Sequence, residues 1–358
     1  MVVLVLVARR GFGDFAEHWS IDLKTALITG ASGQDGHYLI EYLLGLGYKV
    51  HAQRRSGPSA AQGESIEWHV GNPADSGFVE DLIVSAKPDE IFNLAAVSRP
   101  VESWQASKST SNITAFLPHL LCELIVKHRP RCRLFQASSS DMFGRNFDPA
   151  QDEQTRFQPI SPYGAAKVYA HHMVGAYRVH HGVHGCCGIL FNHESPHRSL
   201  RFVSQKIAYA AAAASLGEKT TNELDEFARP ILTEGKLRLG DLSVRRDFGF
   251  AGDYVDAMHR ILQLPTPDDY VIGTGETHSI QELCELAFDE VGLDWREFVI
   301  ADPRLMRATD SSYTCANPQK LHAVSGWRPR VNFKDLVSMM VRSQLAKLEA
   351  SSTGPTSG

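Results

Sequence analysis

Several features that mark particular classes of protein are scarce in this sequence of 358 residues. It contains 6 cysteines and no C-x-x-C pair, which argues against a disulfide framework, a redox dithiol or a cysteine-based zinc site. No internal stretch approaches the roughly 18 uninterrupted apolar residues of a membrane span. The 36 Lys and Arg residues are outnumbered by 41 Asp and Glu residues, so the net charge of −5 offers no footprint for nucleic acid or an anionic membrane. We expect a cytoplasmic protein with neither of those partners.

The two ends of the sequence lie outside its strongest patterns. Residues 1–23 open with an apolar run whose arginine pair, Arg9 and Arg10, follows the run instead of preceding it, which is the wrong order for a signal peptide. An ordered arm, a partner contact and a long translated start all agree with this extension, and the sequence leaves the three open. Residues 348–358 form a tail that we expect to fray.

Between these ends, short apolar runs alternate with amphipathic stretches of helix length. The composition, 43% hydrophobic and 22% charged, is that of a globular protein. TALITG, YKVHAQ, EIFNLAA and RLFQAS are typical of buried strands, and HYLIEYLLGLG and FVEDLIVSAK are typical of the helices between them. Strands that are apolar throughout predict a parallel sheet covered on both faces, because each parallel crossover needs a helix. The predicted fold class is therefore doubly wound α/β.

The alternation of strand-like and helix-like segments becomes less regular after about residue 190. An alanine-rich helix, the polar stretch EKTTNELDEFARP and the strand-like KLRLG follow one another, before two core-like pieces, a helix in DYVDAMHRILQL and a strand in DYVIGTG. We predict a larger domain formed by residues 24–190 and 236–280. A smaller, discontinuous lobe is expected from residues 191–235 and 281–347.

A glycine-rich turn follows the first predicted strand. Gly30, Gly33 and Gly36 form the pattern G-x-x-G-x-x-G between TALIT and an amphipathic helix. The turn needs a residue that is free to adopt positive φ, and a pyrophosphate needs backbone without a Cβ in its way. The N-terminus of the following helix supplies unpaired N–H groups for phosphates. The turn therefore indicates a dinucleotide-binding site.

The end of the second strand carries Arg54 and Arg55 and no acidic residue. A carboxylate there would bind the ribose 2′-hydroxyl of NAD, whereas a guanidinium fork matches a 2′-phosphate, so the pair favours NADP. Two arginines at a strand end are also typical of a solvated surface, and the sequence leaves that alternative open.

A phenol and an ammonium group lie four residues apart at Tyr163 and Lys167, which places them on one face of a helix. A nearby cation favours the phenolate form of a tyrosine, whose ordinary pKa is about 10. The run Ser138–Asp141 ends the strand RLFQAS, where open α/β sheets bind ligands. Together these groups suggest proton transfer at a hydroxyl-bearing substrate, although the serines alone are typical of a turn and the carboxylate alone of a helix cap.

Eight segments together closely resemble the GDP-mannose 4,6-dehydratases, a family of extended short-chain dehydrogenase/reductases. The segments are TGASGQDG, Arg54-Arg55, NLAAVS, QASSSDMFG, SPYGAAK, FNHESP, RRDFGFAGDYVDAM and TGETHS. The likeness runs from about Thr25 to Lys347, and GQDG and FNHESP are more specific than the glycine and tyrosine motifs shared by all such enzymes. The resemblance implies a Rossmann-type fold with bound NADP, a smaller lobe that binds a GDP-hexose, and a homodimer or homotetramer.

The resemblance also implies the chemistry, conversion of GDP-mannose or a close GDP-hexose to the 4-keto-6-deoxy form. Tyr163 would take the proton of the sugar 4-hydroxyl, and Lys167 would hold the cofactor ribose and lower the phenol pKa. Asp141, with Ser139, would remove the C5 proton and assist loss of the 6-hydroxyl as water. The family has Glu and Thr at these two positions. The shorter carboxylate leaves a sugar-nucleotide epimerase or 4-reductase of the same fold open as an alternative, and a cofactor-binding protein without turnover as a third.

Further residues take binding roles by the same resemblance. The cofactor residues are Gly30, Gly33, Gln34, Asp35, Gly36, Arg54, Arg55, Asn72, Leu94, Ala95, Ala96, Tyr163, Lys167, His193 and Arg198. The substrate residues are Ser98, Glu102, Asn192, Lys206, Arg246, Arg307 and Asp310. An ion pair with Asp247 or Asp253 stays an alternative for Arg246. The histidines suggest no metal site, and an insertion at about 220–230 enlarges the smaller lobe.

Overall fold

Strands and helices alternate along the chain in the computed structural model, which describes residues 23–57, 65–145, 148–225, 227–306 and 313–352. The strands β1 to β14 are Thr25–Thr29, Lys49–Arg54, Ile66–Val70, Glu90–Asn93, Arg133–Ser139, Gly185–Leu190, Asn192–Glu194, Leu232–Thr233, Lys236–Leu239, Arg245–Arg246, Phe248–Phe250, Asp269–Ile272, His278–Ser279 and Val299–Ala301. The helices α1 to α11 are Gln34–Gly45, Ser76–Ala86, Pro100–Gln105, Ser107–Ser109, Leu117–His128, Pro162–His181, Val203–Ser215, Ala251–Gln263, Ile280–Asp289, Gln319–Ser325 and Phe333–Ser352. Thr110–Phe116 is π-helical, and Ser140–Met142, Trp295–Glu297 and Pro303–Leu305 are 3₁₀ turns. Apart from its last residue, the extension 1–23 lies outside the described residues.

A seven-stranded sheet organises the larger part of the molecule. Its strand order is β12-β6-β5-β4-β1-β2-β3, and every neighbouring pair is parallel. The connections reverse direction between β1 and β4, and ligands of open α/β sheets bind outside the strand ends at such a reversal. The prediction of a doubly wound, Rossmann-type sheet is confirmed.

Both faces of this sheet are buried, which explains why its strands are apolar throughout. Ala26 and Ile28 of β1 pack in a cluster that includes α1 and α8, whereas Leu27 packs on the other side with residues of α2 and α5. Successive side chains of a strand point to opposite faces, so a sheet between two helical layers needs apolar residues at every position.

A second cluster forms a smaller lobe. It joins α7, α9 and α11 to the three-stranded sheet β14-β9-β8. Lys236–Leu239 lies in this lobe, whereas α8 and β12 of the same predicted segment, 236–280, pack in the large sheet. The proposed division into domains stays a prediction. Within the described ranges, no helix is both long enough and apolar enough to cross a bilayer.

Candidate active site

The glycine turn between β1 and α1 brings three chain segments into close contact. Gly30 has φ of 67°, and a Cβ placed on it would lie 2.8 Å from the backbone nitrogen of Ala95. A Cβ on Gly36 would collide with the Ala31 carbonyl. The Gly30 N–H donates to Oε1 of Gln53 at 2.9 Å, which fixes the turn against β2. Side chains larger than hydrogen therefore have no room where the backbone of the turn packs.

The remainder of the GQDG motif binds a distant segment of the chain. Gln34 donates through Nε2 to the His193 carbonyl at 2.9 Å and accepts from the Ser195 hydroxyl at 2.8 Å. Asp35 Oδ2 lies 3.0 Å from Nε2 of His193. GQDG and FNHESP, the two most specific motifs of the sequence, are therefore hydrogen-bonded to each other. Ser195 belongs to this contact although the sequence analysis assigned it no role.

Asp35 and His193 shift each other's pKa. Burial alone would raise the pKa of Asp35, but the charge of His193 and the hydrogen bond to it outweigh burial and hold that pKa below its ordinary value. Burial likewise acts to lower the pKa of His193, and the Asp35 carboxylate outweighs it and raises that pKa. Both shifts favour the charged forms.

A cavity of about 410 Å³ lies beside the end of β2. Arg55 and Asn72 line it together with Lys108. Arg54 stacks on Trp68, with its guanidinium carbon 4.8 Å from the ring centroid. Its Nε and Nη2 atoms are buried, and no described residue accepts a hydrogen bond from either atom. A buried guanidinium with unused donors fits an anionic ligand group, because unpaired buried donors are costly.

The loop after β4 packs against the glycine turn and leads to α3. The Leu94 N–H donates to the Thr29 carbonyl at 3.2 Å, and the Ala95 N–H donates to the Thr29 hydroxyl at 3.3 Å. Leu94, Ala95 and the adjacent Ala96 thus lie beside the turn. Ser98 is exposed, and Glu102 forms ion pairs of 3.2 and 3.1 Å with two arginines, Arg99 and Arg201.

Helix α6 positions the phenol and the ammonium group. Ser161 caps the helix by accepting from the Gly164 N–H at 3.0 Å. Tyr163 and Lys167 are both buried on one face, and Nζ of Lys167 lies 5.7 Å from the centroid of the Tyr163 ring. Lys167 donates to the Ala137 carbonyl of β5 at 2.6 Å. The helix and the adjoining strand therefore fix both groups at the carboxyl end of β5.

Ser139 and Asp141 lie at the same strand end. The Asp141 N–H donates to the Ser139 hydroxyl at 3.2 Å, and that hydroxyl lies 3.5 Å from Asp141 Oδ2. Ser139 also acts to lower the pKa of the Tyr163 phenol. A Cβ on Gly164 would lie 2.7 Å from the Asp141 carbonyl, so glycine lets the 3₁₀ turn approach α6. Asp141 is exposed, whereas Ser139 and Tyr163 are buried.

Burial moves both members of the tyrosine–lysine pair toward their neutral forms. Burial, followed by the Asp141 charge, raises the pKa of Tyr163 well above its ordinary value, while Ser139 and Arg198 act to lower it. Burial lowers the pKa of Lys167 to about 8, although carboxylates nearby act to raise it. The sequence led us to expect that Lys167 lowers the pKa of the Tyr163 phenol. In the protein alone that pKa is raised, because desolvation is the larger effect.

The predicted substrate residues that follow β6 lie on several short elements. Asn192 begins β7, which pairs with β11, and Arg246 lies on β10, paired with β13. Buried Lys206 lines a second cavity, of about 610 Å³. Arg198 forms an ion pair of 3.1 Å with Glu194 and lies over the ring of Phe202.

The remaining predictions for the substrate site concern Arg307, Asp310 and the alternative ion pair of Arg246. Arg307 and Asp310 lie outside the described residues. Asp247 accepts from the N–H groups of Thr274 and Gly275, and Asp253 pairs with Arg330. These contacts engage the two carboxylates that the sequence offered as partners of Arg246.

A buried network below the site was missed from sequence. Nδ1 of His171 lies 3.1 Å from the Ser138 hydroxyl, and its Nε2 lies 3.5 Å from Asp269, which also pairs with Arg178 at 2.6 Å. The i+8 position of His171 relative to Tyr163 was the available signal, because it continues the same helix face.

In the described part of the chain, two groups of side chains have the separations of metal ligands, although the sequence suggested no metal site. They are His51, Glu67 and His69, and His171, Cys187 and Asp269. Internal bonds already engage both groups: the two histidines of the first are hydrogen-bonded to each other at 2.9 Å, and the second belongs to the His171 network. We assign neither a metal.

Comparisons with known proteins agree with this geometry. The family model described as GDP-mannose 4,6 dehydratase matches residues 27–340. GDP-mannose 4,6 dehydratase 1 of Arabidopsis thaliana is 38% identical over 346 aligned residues, which cover 91% of each chain. Among solved structures, the UDP-glucose 4-epimerase of Thermus thermophilus in complex with NAD has a TM-score of 0.76 at 22% identity and covers 89% of this chain and 98% of its own. RMD from Pseudomonas aeruginosa, complexed with NADPH, has a TM-score of 0.74 at 22% identity, with coverages of 90% and 99%. At such identities the solved structures show the shared fold alone.

Proposed function

The chain belongs to the GDP-mannose 4,6 dehydratase family, and from this premise we propose that it converts GDP-mannose, or a close GDP-hexose, to the GDP-4-keto-6-deoxy-hexose. The observation that carries the proposal is the convergence of a phenol, a hydroxyl and a carboxylate at one strand end. Tyr163 and Ser139 are buried at the end of β5 with Asp141 beside them, and both Ser139 and Asp141 influence the pKa of the phenol. Elimination of water needs two proton-transfer groups beside the same sugar, which this arrangement supplies.

Each side chain has a distinct role in the proposal. Tyr163 takes the proton of the sugar 4-hydroxyl as C4 is oxidised. Asp141 removes the C5 proton, which the new ketone has made acidic, and passes it to the 6-hydroxyl, which leaves as water while Ser139 orients the carboxylate. Tyr163 then returns its proton to C5 when C6 is reduced. When bound, the nicotinamide supplies the hydride acceptor at C4 and the hydride donor at C6.

The cofactor that we propose is NADP. The glycine turn and the N-terminus of α1 would hold the pyrophosphate, and Arg54 would hold the 2′-phosphate. The buried, unused donors of Arg54 support this assignment, as does the absence of a carboxylate at the end of β2 in the printed sequence. Lys167 would contact the ribose from its position beside Tyr163.

The NADP proposal predicts a selective defect. We expect Arg54→Ala to weaken NADP binding by roughly ten- to a hundredfold, the value of a charge-assisted hydrogen bond, and to leave NAD binding nearly unchanged. Arg296→Ala, on the exposed turn Trp295–Glu297, is the matched control. Equal weakening of both cofactors in titrations would refute the role of Arg54 at the 2′-phosphate.

The smaller lobe is proposed to bind the nucleotide half of the substrate. Lys206 lies in its cavity, Asn192 lies on β7, which pairs with β11, and Arg246 lies on β10, which pairs with β13. Arg246 could bind diphosphate oxygens as a planar fork, which a lysine cannot do. Arg307 and Asp310 are proposed at the nucleoside by the family resemblance.

The reaction itself is tested with purified protein, NADP and GDP-mannose. We expect a product with the alkali-induced ultraviolet absorbance of a 4-keto sugar and with the mass of the substrate less one water. Asp141→Asn should abolish the loss of water, because the amide cannot accept the C5 proton. An epimerised GDP-hexose of unchanged mass would instead establish the alternative epimerase.

We also propose that the chain functions as a homo-oligomer in the cytoplasm. Exposed apolar side chains on neighbouring helices support self-association, among them Val126 of α5 and Val179 of α6, which are 38% and 79% exposed. The six cysteines are free and buried, as suits a reducing compartment. Light scattering of wild-type protein and of Val179→Glu tests the interface, and a monomeric wild-type protein would contradict it.

A further inference from the structure

The polar stretch that the sequence marks as an insertion forms a hairpin in the smaller lobe. Thr221 pairs with Leu232, and the Ile231 N–H donates to the Glu223 carbonyl at 3.0 Å. Asp225 and Arg229 close the hairpin with a backbone hydrogen bond of 2.7 Å. The described residues Phe227 and Ala228, which lie inside this closure, form what we call the tip of the hairpin.

Internal bonds hold this tip in an unusual conformation. Asp225 Oδ1 accepts from the N–H groups of Phe227 and Arg229 at 2.8 and 3.0 Å, and Oδ2 accepts from the Arg229 guanidinium at 2.7 and 3.1 Å. Ala228 has φ of 57°, which is costly for a residue with a Cβ. Strain of this kind persists only where surrounding bonds over-determine it, and it is common at ligand-binding sites.

The tip displays an aromatic ring at the cavity of about 610 Å³. Phe227 is 50% exposed and lines that cavity with Arg229, whose guanidinium carbon lies 4.8 Å from the ring centroid. Lys206, Arg238 and Arg304 also line it. A cavity that combines cationic side chains with an exposed aromatic ring fits a ligand with phosphates and a planar group.

We propose that the hairpin tip is a nucleobase platform, on which the base of the sugar nucleotide stacks against Phe227. Arg229 is neutralised by Asp225, so its role is to support the ring and not to bind phosphate. Arg238, which lines the same cavity, attracts the diphosphate. This inference rests on the proposed function, to which it adds the contact on the base.

The test separates base binding from phosphate binding. Equilibrium dissociation constants are measured for GDP and for inorganic pyrophosphate, which lacks the base, with wild-type protein, Phe227→Ala and Phe227→Trp. We expect Phe227→Ala to weaken GDP by roughly five- to a hundredfold, the range of base–aromatic stacking, and to leave pyrophosphate unchanged. Phe227→Trp should restore GDP binding. With GDP-mannose, KM should rise in Phe227→Ala while kcat is retained.

Phe116→Ala, at another exposed phenylalanine outside the smaller lobe, is the matched control. The platform is refuted if Phe227→Ala leaves GDP binding unchanged, or if it weakens GDP and pyrophosphate equally. A wild-type protein that shows this base dependence but makes no 4-keto product contradicts the proposed function alone. Product formation without base dependence contradicts the platform alone, and failure to bind GDP contradicts both.

Discussion

Two pairs of ionisable groups near the sheet edge, one partly buried and one buried, respond to desolvation in opposite ways. Asp35 and His193 attract each other strongly enough that both pKa values move toward the charged forms. Tyr163 and Lys167 are more deeply buried, and burial moves both toward the neutral forms. In the first pair each charge is balanced by the other within the protein, so this pair stabilises the folded structure. The second pair is sensitive to any charge that a ligand brings, which suits groups that must exchange a proton.

The largest expected effect comes from removing the phenol of the second pair. Tyr163→Phe should lower kcat by roughly a hundred- to ten-thousandfold, the range for a general acid–base group, because no other hydroxyl occupies its place on α6. The midpoint of thermal unfolding should change little, since the ring stays packed. Rates come from 4-keto product formation and stability from circular dichroism. Unimpaired turnover would remove Tyr163 from the mechanism.

Breaking the first pair should have a moderate effect, and mainly on stability. Asp35→Asn should reduce the free energy of unfolding by about 2 kcal/mol near neutral pH, the value of a charge-assisted hydrogen bond. With burial unopposed, the pKa of His193 should fall below 6.5, its ordinary value. Urea unfolding and an NMR titration of the imidazole measure the two changes.

The pH dependence of this loss follows from both shifts. The carboxylate's contribution is present above 3.8 and is lost as pH falls through its lowered pKa. The histidine's contribution is present below 6.5 and is lost as pH rises through its raised pKa. The stability difference between wild-type protein and Asp35→Asn should therefore be greatest between these limits. A difference that does not vary with pH would contradict the ion pair.

The smallest effect concerns the pH profile of the second pair. Lys167 is charged below its pKa of about 8 and neutral above it. Since that charge favours the phenolate of Tyr163, kcat/KM, which reports the free enzyme, should decline above about pH 8. Lys167→Arg keeps its charge and should show no such decline, after circular dichroism has verified its fold. A wild-type profile that is flat well above this pH would contradict the role of the ammonium charge.

Much of the fold could be predicted from sequence because it depends on local patterns. The strand RLFQAS and the helix after TALIT follow from apolar runs and a glycine turn, and the parallel order follows from the helices between strands. The spacing of Tyr163 and Lys167 likewise fixes their common helix face. These features depend on neighbours within a few residues, which a single sequence displays.

Contacts between distant segments were the part that sequence could not supply. The bond between Gln34 and His193 joins residues 159 positions apart, and nothing in either motif indicates the other. The raised pKa of Tyr163 escapes prediction for a similar reason, because desolvation depends on the packing of several elements. The bonds between Asp225 and Arg229 hold the polar hairpin together. No periodic pattern in the sequence indicates those bonds.

The hydrogen bonds of Gln34 and Asp35 join two segments that are far apart in the sequence. The start of α1, next to the glycine turn, is hydrogen-bonded to residues 193–195, which follow β6 in the chain. Because these bonds join the two segments, we expect a shift of the glycine turn to move residues 193–195 as well. We therefore expect binding at the glycine turn and the position of residues 193–195 to be linked through three side-chain bonds.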